Sequence, residues 1–350
     1  MNDPSTSLPP IVEAVEVSKS FSTATGLSAR VGGRKFVQAV DRCSLRVFPG
    51  QSVGLIGESG CGKSTLGRLL IRLETPTAGD ILFDGRNITR WRGTRLRRFR
   101  RHMQMIFQDA ASSLNPRNTV ESAIAEAVCA HRPELERPRV LGHITALLDM
   151  VGLPLATLDR LPGELSAGEK QRVSIARALA VEPRFIVADE PVSSLDRSSE
   201  EQILSLLATV QRELNVAFLF IAHDVETVRR MCSLVAVMYL GRIVEWADTQ
   251  QLIATPAHPY SRALMMSRLS TRPSQKTRPF LLQGDPPSPL EPPSGCHFHP
   301  RCPHADIQCR KIVPLPRTTA DGRIIRCHFD FVDGQRMAPV EVSDILELDS

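Results

Sequence analysis

The stretch Gly57-Glu58-Ser59-Gly60-Cys61-Gly62-Lys63-Ser64-Thr65 limits what this chain can fold into more than any other. It satisfies G-x-x-x-x-G-K-[ST] and sits where that pattern has mechanical meaning. Before it, Gln51 to Ile56 is a short apolar run of strand type; after it, Leu66, Leu69, Leu70 and Leu73 recur at helical spacing. Strand, glycine loop and helix together let backbone N–H groups converge on an anion at a helix N-terminus. Lys63 is expected to reach the β- and γ-phosphates of a nucleotide, and Ser64 to hold Mg²⁺. A glycine turn without that purpose would not need those flanks.

The 350 residues suggest two or three domains. A hydrophobic share of 42% and a charged share of 23% are ordinary for a globular chain. No apolar run is long enough for a bilayer, and the first residues, MNDPSTSLPP, do not form a signal peptide. The expected place is therefore the cytoplasm, with any membrane role mediated by a partner. Net charge is a mild +5, with much of the positive charge in Arg92, Arg95, Arg97, Arg98, Arg100 and Arg101. Only 5% of residues are aromatic, so this cluster suits a solvated or subunit-facing helix better than a nucleic-acid patch.

Along the chain, residues 1–10 form a polar tail, and a strand runs from Ile11 to about Phe21. A loop over roughly 22–35 precedes a strand pair at about 37–48. Helices are expected at Val120 to Ala130, Val140 to Val151 and Glu169 to Ala180, and another over 199–214 started by Ser198/Ser199. Arg184 to Glu190 and Ala217 to Ile221 read as buried parallel strands, and 234–246 as a hairpin about Gly241. Beyond about 270 proline accumulates and helical periodicity disappears, which marks a loop-rich appendage.

The apolar strand ending in Asp189-Glu190 narrows the chemistry. Asp189 suits a carboxylate that holds Mg²⁺ through water, and Glu190 is placed to polarise an attacking water; an acidic pair at a helix start is the plainer alternative. Leu165-Ser166-Ala167-Gly168-Glu169-Lys170-Gln171-Arg172 opens the next helix upstream, and on its own would be a serine N-cap with Glu at N3.

In this position that stretch resembles the LSGGQ signature of the ATP-binding cassette (ABC) ATPases. The resemblance implies a P-loop NTPase (RecA-like) α/β core with an antiparallel β subdomain, an α-helical subdomain over about 115–180 and a loop-rich C-terminal extension. It also implies that Ser166, Ala167, Gly168 and Glu169 grip the ATP held by a second subunit. Ala167 and Glu169 depart from the usual Gly and Gln, which implies two unequal ATP sites. By the same resemblance Gln108 is the Q-loop glutamine on Mg²⁺ and the attacking water. Ser193 to Asp196 form the D-loop, His223 contacts the γ-phosphate, and Phe21 stacks on adenine. A core histidine and a packed aromatic are the alternatives for the last two.

Over residues 11–330 the chain resembles the ATP-binding subunits of bacterial peptide and nickel importers, of the F type. The resemblance rests on Gly57 to Leu70, Ile106 to Arg117, Ala188 to Asp196, Val237 to Glu245 and His258 to Leu264. It implies a nucleotide-binding domain over 11–265, an importer-type extension over 266–335 and a tail over 336–350. The partners implied are a second ABC ATPase, as heterodimer or homodimer, two permease subunits and, indirectly, an external solute-binding protein, all at the cytoplasmic face of the inner membrane.

Of eight cysteines, Cys296, Cys302, Cys309 and Cys327 fall in the extension, spaced C-x5-C-x6-C-x17-C. Structural zinc favours tighter first pairs, so a [4Fe-4S] cluster is the leading expectation. Zinc, with His297, His299 or His304 as ligands, and plain thiols stay open. The expected function is ATP hydrolysis energising import of peptides or a related solute. A soluble ABC ATPase acting on nucleic acid or ribosomes is the rival, and a P-loop kinase or GTPase would lack the signature helix.

Overall fold

The computed structural model describes residues 9–22, 36–132, 135–269, 284–332 and 335–339. Residues 1–8, most of the 22–35 loop and the tail beyond 339 lie outside these. The strands in chain order are β1 (Val12–Ser22), β2 (Phe36–Val47), β3 (Ser52–Ile56), β4 (Ala78–Phe83), β5 (Arg86–Asn87), β6 (Met103–Ile106) and β7 (Phe185–Asp189). They continue with β8 (Ala217–Ile221), β9 (Leu234–Tyr239), β10 (Arg242–Asp248), β11 (Arg317–Thr318), β12 (Ile324–Ile325), β13 (Phe329–Val332) and β14 (Gln335–Pro339). The main helices are α1 (Lys63–Leu70), α2 (Gly93–Phe99), α3 (Val120–His131), α4 (Arg137–Met150), α5 (Ala167–Leu179), α6 (Arg197–Leu214), α7 (Val225–Met231) and α8 (Pro259–Leu269).

One sheet has the order β11-β12-β10-β9-β3-β8-β7-β6. Its β9, β3, β8, β7 and β6 are parallel, and β10, β12 and β11 add antiparallel. The parallel strands are apolar on both faces, as burial under two layers requires. Val53, Leu55, Val187, Leu219 and Ile221 point into one core with Leu66, Leu69 and Leu70 of α1 and with Val12, Val47 and Ile81 of the second, antiparallel sheet (β2-β1-β4-β5). Ile186, Ala188, Phe218 and Phe220 point into the other, which holds Ile124, Ile144, Leu148 and Val173 of the helical layer. Period-two alternation in β7 and β8 thus divides the molecule into its two faces.

Two local readings are revised. Residues 36–47 form one strand rather than a pair, because no breaker interrupts them before Pro49, and register shifts against β1 absorb the irregularity. Helix α6 is capped by Asp196 rather than by a serine: its carboxylate accepts the N–H groups of Ser198 and Ser199. Downstream, Glu245 of β10 pairs with Ile325 of β12, so the proline-rich C-terminal segment contributes two strands to the main sheet.

Candidate nucleotide site

Strand register places the site. Leu55, Ile221 and Asp189 lie in one row across β3, β8 and β7, and Ile106 of β6 is level with Ala188. Within two residues of that row the chain leaves each of these parallel strands at the same edge. Gly57 opens the glycine loop, Glu190 follows Asp189, and His223 and Gln108 stand two residues past the ends of β8 and β6. A ladder formed by apolar residues therefore delivers four polar segments to one place.

The loop itself is tightly built. A Cβ on Gly57 would lie 2.2 Å from the Met238 carbonyl oxygen, and one on Gly62, at φ +109°, 2.1 Å from that of Ala39. Only glycine fits such approaches. Beside Gly60 nothing stands within 4 Å of an added Cβ, so the mouth of the loop is open. Lys63 is 6% exposed, and its ammonium donates to the carbonyls of Gly57 at 2.9 Å and Glu58 at 3.1 Å. These oxygens hold the charge at the centre of the cradle. Cys61 is buried, and burial pushes its thiol up, so it packs rather than reacts.

The Mg²⁺ candidates meet directly. Ser64 Oγ donates to Asp189 Oδ1 at 2.9 Å. Burial raises the Asp189 carboxyl, against the Ser64 hydrogen bond and the nearby Arg68 guanidinium that lower it. A hydroxyl and a buried carboxylate at the start of α1 match the oxygen donors that Mg²⁺ takes with a triphosphate.

Gln108, Glu190 and His223 also converge. Gln108 Nε2 donates to Glu190 Oε2 at 2.9 Å, and His223 Nδ1 lies 3.5 Å from the same oxygen. Glu190 is at φ +46°, a left-handed conformation held by its N–H donating to Ile221 O at 2.9 Å. Such strain in a non-glycine residue is tolerated where neighbours over-determine it, and here it turns the carboxylate to its two partners.

The signature residues lie apart from this constellation in chemistry. Ser166 and Ala167 are exposed at the N-terminus of α5. Ser166 Oγ accepts the Glu169 N–H at 3.2 Å, and Glu169 returns a bond from the Ser166 N–H at 2.8 Å. Arg160 adds an ion pair to Glu169 at 3.2 Å. The backbone and hydroxyl of Ser166, with Arg160, hold the Glu169 carboxyl below its ordinary range. A Cβ on Gly168 would meet only Ser199 at 3.5 Å, so no internal crowding requires glycine there. Asp196 is occupied as the α6 cap and accepts the Ser199 hydroxyl at 2.7 Å. Phe21, at the end of β1, is 37% exposed, with the Lys19 ammonium 4.8 Å from its ring centre.

Sequence reading missed how the extension meets the glycine loop. Arg301 makes two bonds to the Glu58 carboxylate, at 2.7 and 3.0 Å, and the Glu58 N–H donates to Tyr260 Oη at 2.8 Å. The only signal was that Tyr260 stands in the quoted His258 to Leu264 stretch. Cys296, Cys302, Cys309 and Cys327 line one small pocket with His299, His304 and His328. Burial pushes the Cys296 thiol up to about 11 and that of Cys327 to about 12. Among the described residues, no three His, Cys, Asp or Glu side chains are arranged to hold a metal ion. The cysteines are gathered but not drawn in as ligands. No helix among the described residues is long and apolar enough to cross a membrane.

The ABC transporter family model matches residues 40–193, and the oligopeptide/dipeptide transporter C-terminal region matches 244–309. The chain is 46% identical to the probable peptide ABC transporter ATP-binding protein y4tS of Sinorhizobium fredii over 296 residues, covering 83% of this chain and 82% of that protein. It is 43% identical to the oligopeptide transport ATP-binding protein AppF of Bacillus subtilis, covering 91% and 97%. Among solved structures, the dimeric ATP-binding cassette MJ0796 bound to ADP and Pi aligns with a TM-score of 0.60 at 26% identity, over 68% of this chain and 98% of that one. The chain thus belongs to the ATP-binding subunits of ABC transporters, in the group that carries the oligopeptide/dipeptide transporter C-terminal region.

Proposed function

We propose that this chain hydrolyses ATP to energise peptide import, with residues 57–65 as the phosphate cradle and Glu190 as the group that activates water. The observation that carries the chemistry is the meeting of Gln108, Glu190 and His223 at one carboxylate oxygen, beside the Ser64–Asp189 pair. Lys63 exchanges its loop carbonyls for the β- and γ-phosphates. Ser64, Asp189 and Gln108 supply the oxygen donors for Mg²⁺, which neutralises charge on the phosphates when bound. Glu190 takes a proton from a water as that water's oxygen bonds to the γ-phosphorus; the bond from phosphorus to the β–γ bridging oxygen breaks, and ADP leaves with the electron pair. Gln108 steers the Glu190 carboxylate and the water, and His223 lies against the γ-phosphate. Phe21, exposed at the end of β1, stacks on adenine.

The exposed, internally satisfied signature turn supports a working unit of two cassettes, in which Ser166 to Glu169 complete the partner's site and Asp196 lies near the junction. The partner is a second ABC ATPase, and two permease subunits receive the motion at the cytoplasmic face of the membrane. The peptide substrate rests on the relatives' names and on the C-terminal region, which also disfavour the nucleic-acid reading. Transport of labelled di- and oligopeptides by the reconstituted complex tests it; uptake indifferent to ATP, or to Glu190→Gln, contradicts it.

The cysteine spacing and four thiols around one pocket support a metal centre in the extension, but among the described residues no three candidate side chains are arranged to hold an ion. Iron and zinc analysis of anaerobically prepared protein decides between a [4Fe-4S] cluster, zinc and free thiols.

A further inference from the structure

We infer that Arg301, from the C-terminal extension, is a positioning residue for the ATP site: it holds the glycine loop in shape and cancels the charge of Glu58 beside the bound phosphates. The inference rests on the reading of residues 57–65 as the nucleotide cradle. Its basis is a closed box around Glu58. Arg301 is only 5% exposed along its side chain and grips the Glu58 carboxylate with two bonds, at 2.7 and 3.0 Å. Its guanidinium lies 5.9 Å from the Tyr239 ring centre. Tyr260 Oη accepts the Glu58 N–H at 2.8 Å, and the Tyr239, Tyr260 and Phe298 rings pack on one another with centres 4.6 to 5.5 Å apart.

Both the backbone and the side chain of Glu58 are therefore held from outside the loop, by residues 202 and 243 positions away. The Glu58 carbonyl in turn accepts from Lys63 at 3.1 Å, so the clamp is one residue removed from the ammonium that meets phosphate. A carboxylate on the loop that cradles a triphosphate repels its ligand unless it is paired. A planar guanidinium with two parallel bonds both pairs and orients it. The clamp is itself fixed: Pro300 lies in the same single turn, closed by the Arg301 N–H donating to Phe298 O at 3.0 Å, and Phe298 is buried in the core. This gives the extension a task at the ATP site independent of any metal at its cysteines.

The test is calorimetric titration of the full-length chain with MgADP. Arg301→Gln is expected to weaken binding about tenfold, and Arg301→Gln with Glu58→Gln to recover at least about threefold of that loss, since the unpaired charge is gone. A loss below about twofold in Arg301→Gln overturns the inference, and so does a loss that the second substitution fails to relieve. Where Arg301→Gln does not fold, Arg301→Met, which keeps the buried stem, takes its place with the same readings. Lys63→Ala is the control: if it leaves binding intact, the cradle reading itself fails; if it abolishes binding while Arg301→Gln has no effect, only the Arg301 inference fails.

Discussion

The segments at the ends of β3, β6, β7 and β8 and the turn Ser166–Glu169 are both polar, yet they are held in opposite ways. The first group is positioned by a buried ladder, and its side chains bond to one another: Ser64 to Asp189, Gln108 to Glu190, with His223 beside them. The signature turn lies exposed, and Ser166, Glu169 and Arg160 satisfy each other within it. Polar groups that converge on an open space are arranged for a ligand in the same chain. A turn whose polar groups are already satisfied, and whose glycine has no crowding to avoid, is arranged for something that arrives from outside. The Glu169 carboxylate, where the usual signature has Gln, is tied back by the capping box.

Substitutions on the two sides separate accordingly. The largest expected effect is on chemistry: Glu190→Gln lowers ATP turnover of the assembled transporter by about 10²- to 10⁴-fold in a phosphate-release assay, with nucleotide binding kept. Asp189→Asn is next, raising the Mg²⁺ concentration needed for half-maximal turnover by about tenfold or more, because a buried oxygen donor loses its charge. On the signature side, Ser166→Ala removes the cap of α5 and costs ~1 kcal/mol of stability in denaturant unfolding. The remaining prediction concerns pH. His258, fully buried, is held down to about 3 from an ordinary 6.5 by burial, and its Nδ1 accepts the Tyr260 N–H at 3.0 Å. The unfolded chain binds that proton more readily, so stability contributed by the neutral ring is present above about 6.5 and is lost as pH falls towards 3, by at most ~1.4 kcal/mol per pH unit. His258→Asn flattens that slope in thermal melts between pH 6.5 and 5.

How much of this could be read beforehand follows from sequence distance. The glycine loop and Asp189-Glu190 each occupy a few consecutive residues between recognisable elements, so spacing exposed them, whereas Ser166 to Glu169 stood out only by resemblance to the LSGGQ signature. That Gln108 reaches Glu190 depends on β6 lying beside β7, and parallel neighbours are not written in either strand. The sequence places Asp196 in the D-loop and the helix cap on the serines after it; a carboxylate accepting two N–H groups outcompetes a hydroxyl as that cap. Strands β11 and β12 have two residues each, too few for any period, so the extension's place in the main sheet was hidden. The Arg301–Glu58 pair spans 243 positions and carries no motif, which is why the link between the extension and the ATP site emerged only with the structure.

The contrast between the two regions rests on one claim, that this chain's own nucleotide is held by residues 57–65 and not by its signature turn. Calorimetric titration of MgATP into the full-length chain, on a Glu190→Gln background that prevents turnover, tests it most directly. The expected result is that Ser166→Ala binds as the background does and Lys63→Ala loses binding beyond measurement. Equal weakening by both substitutions would contradict the account.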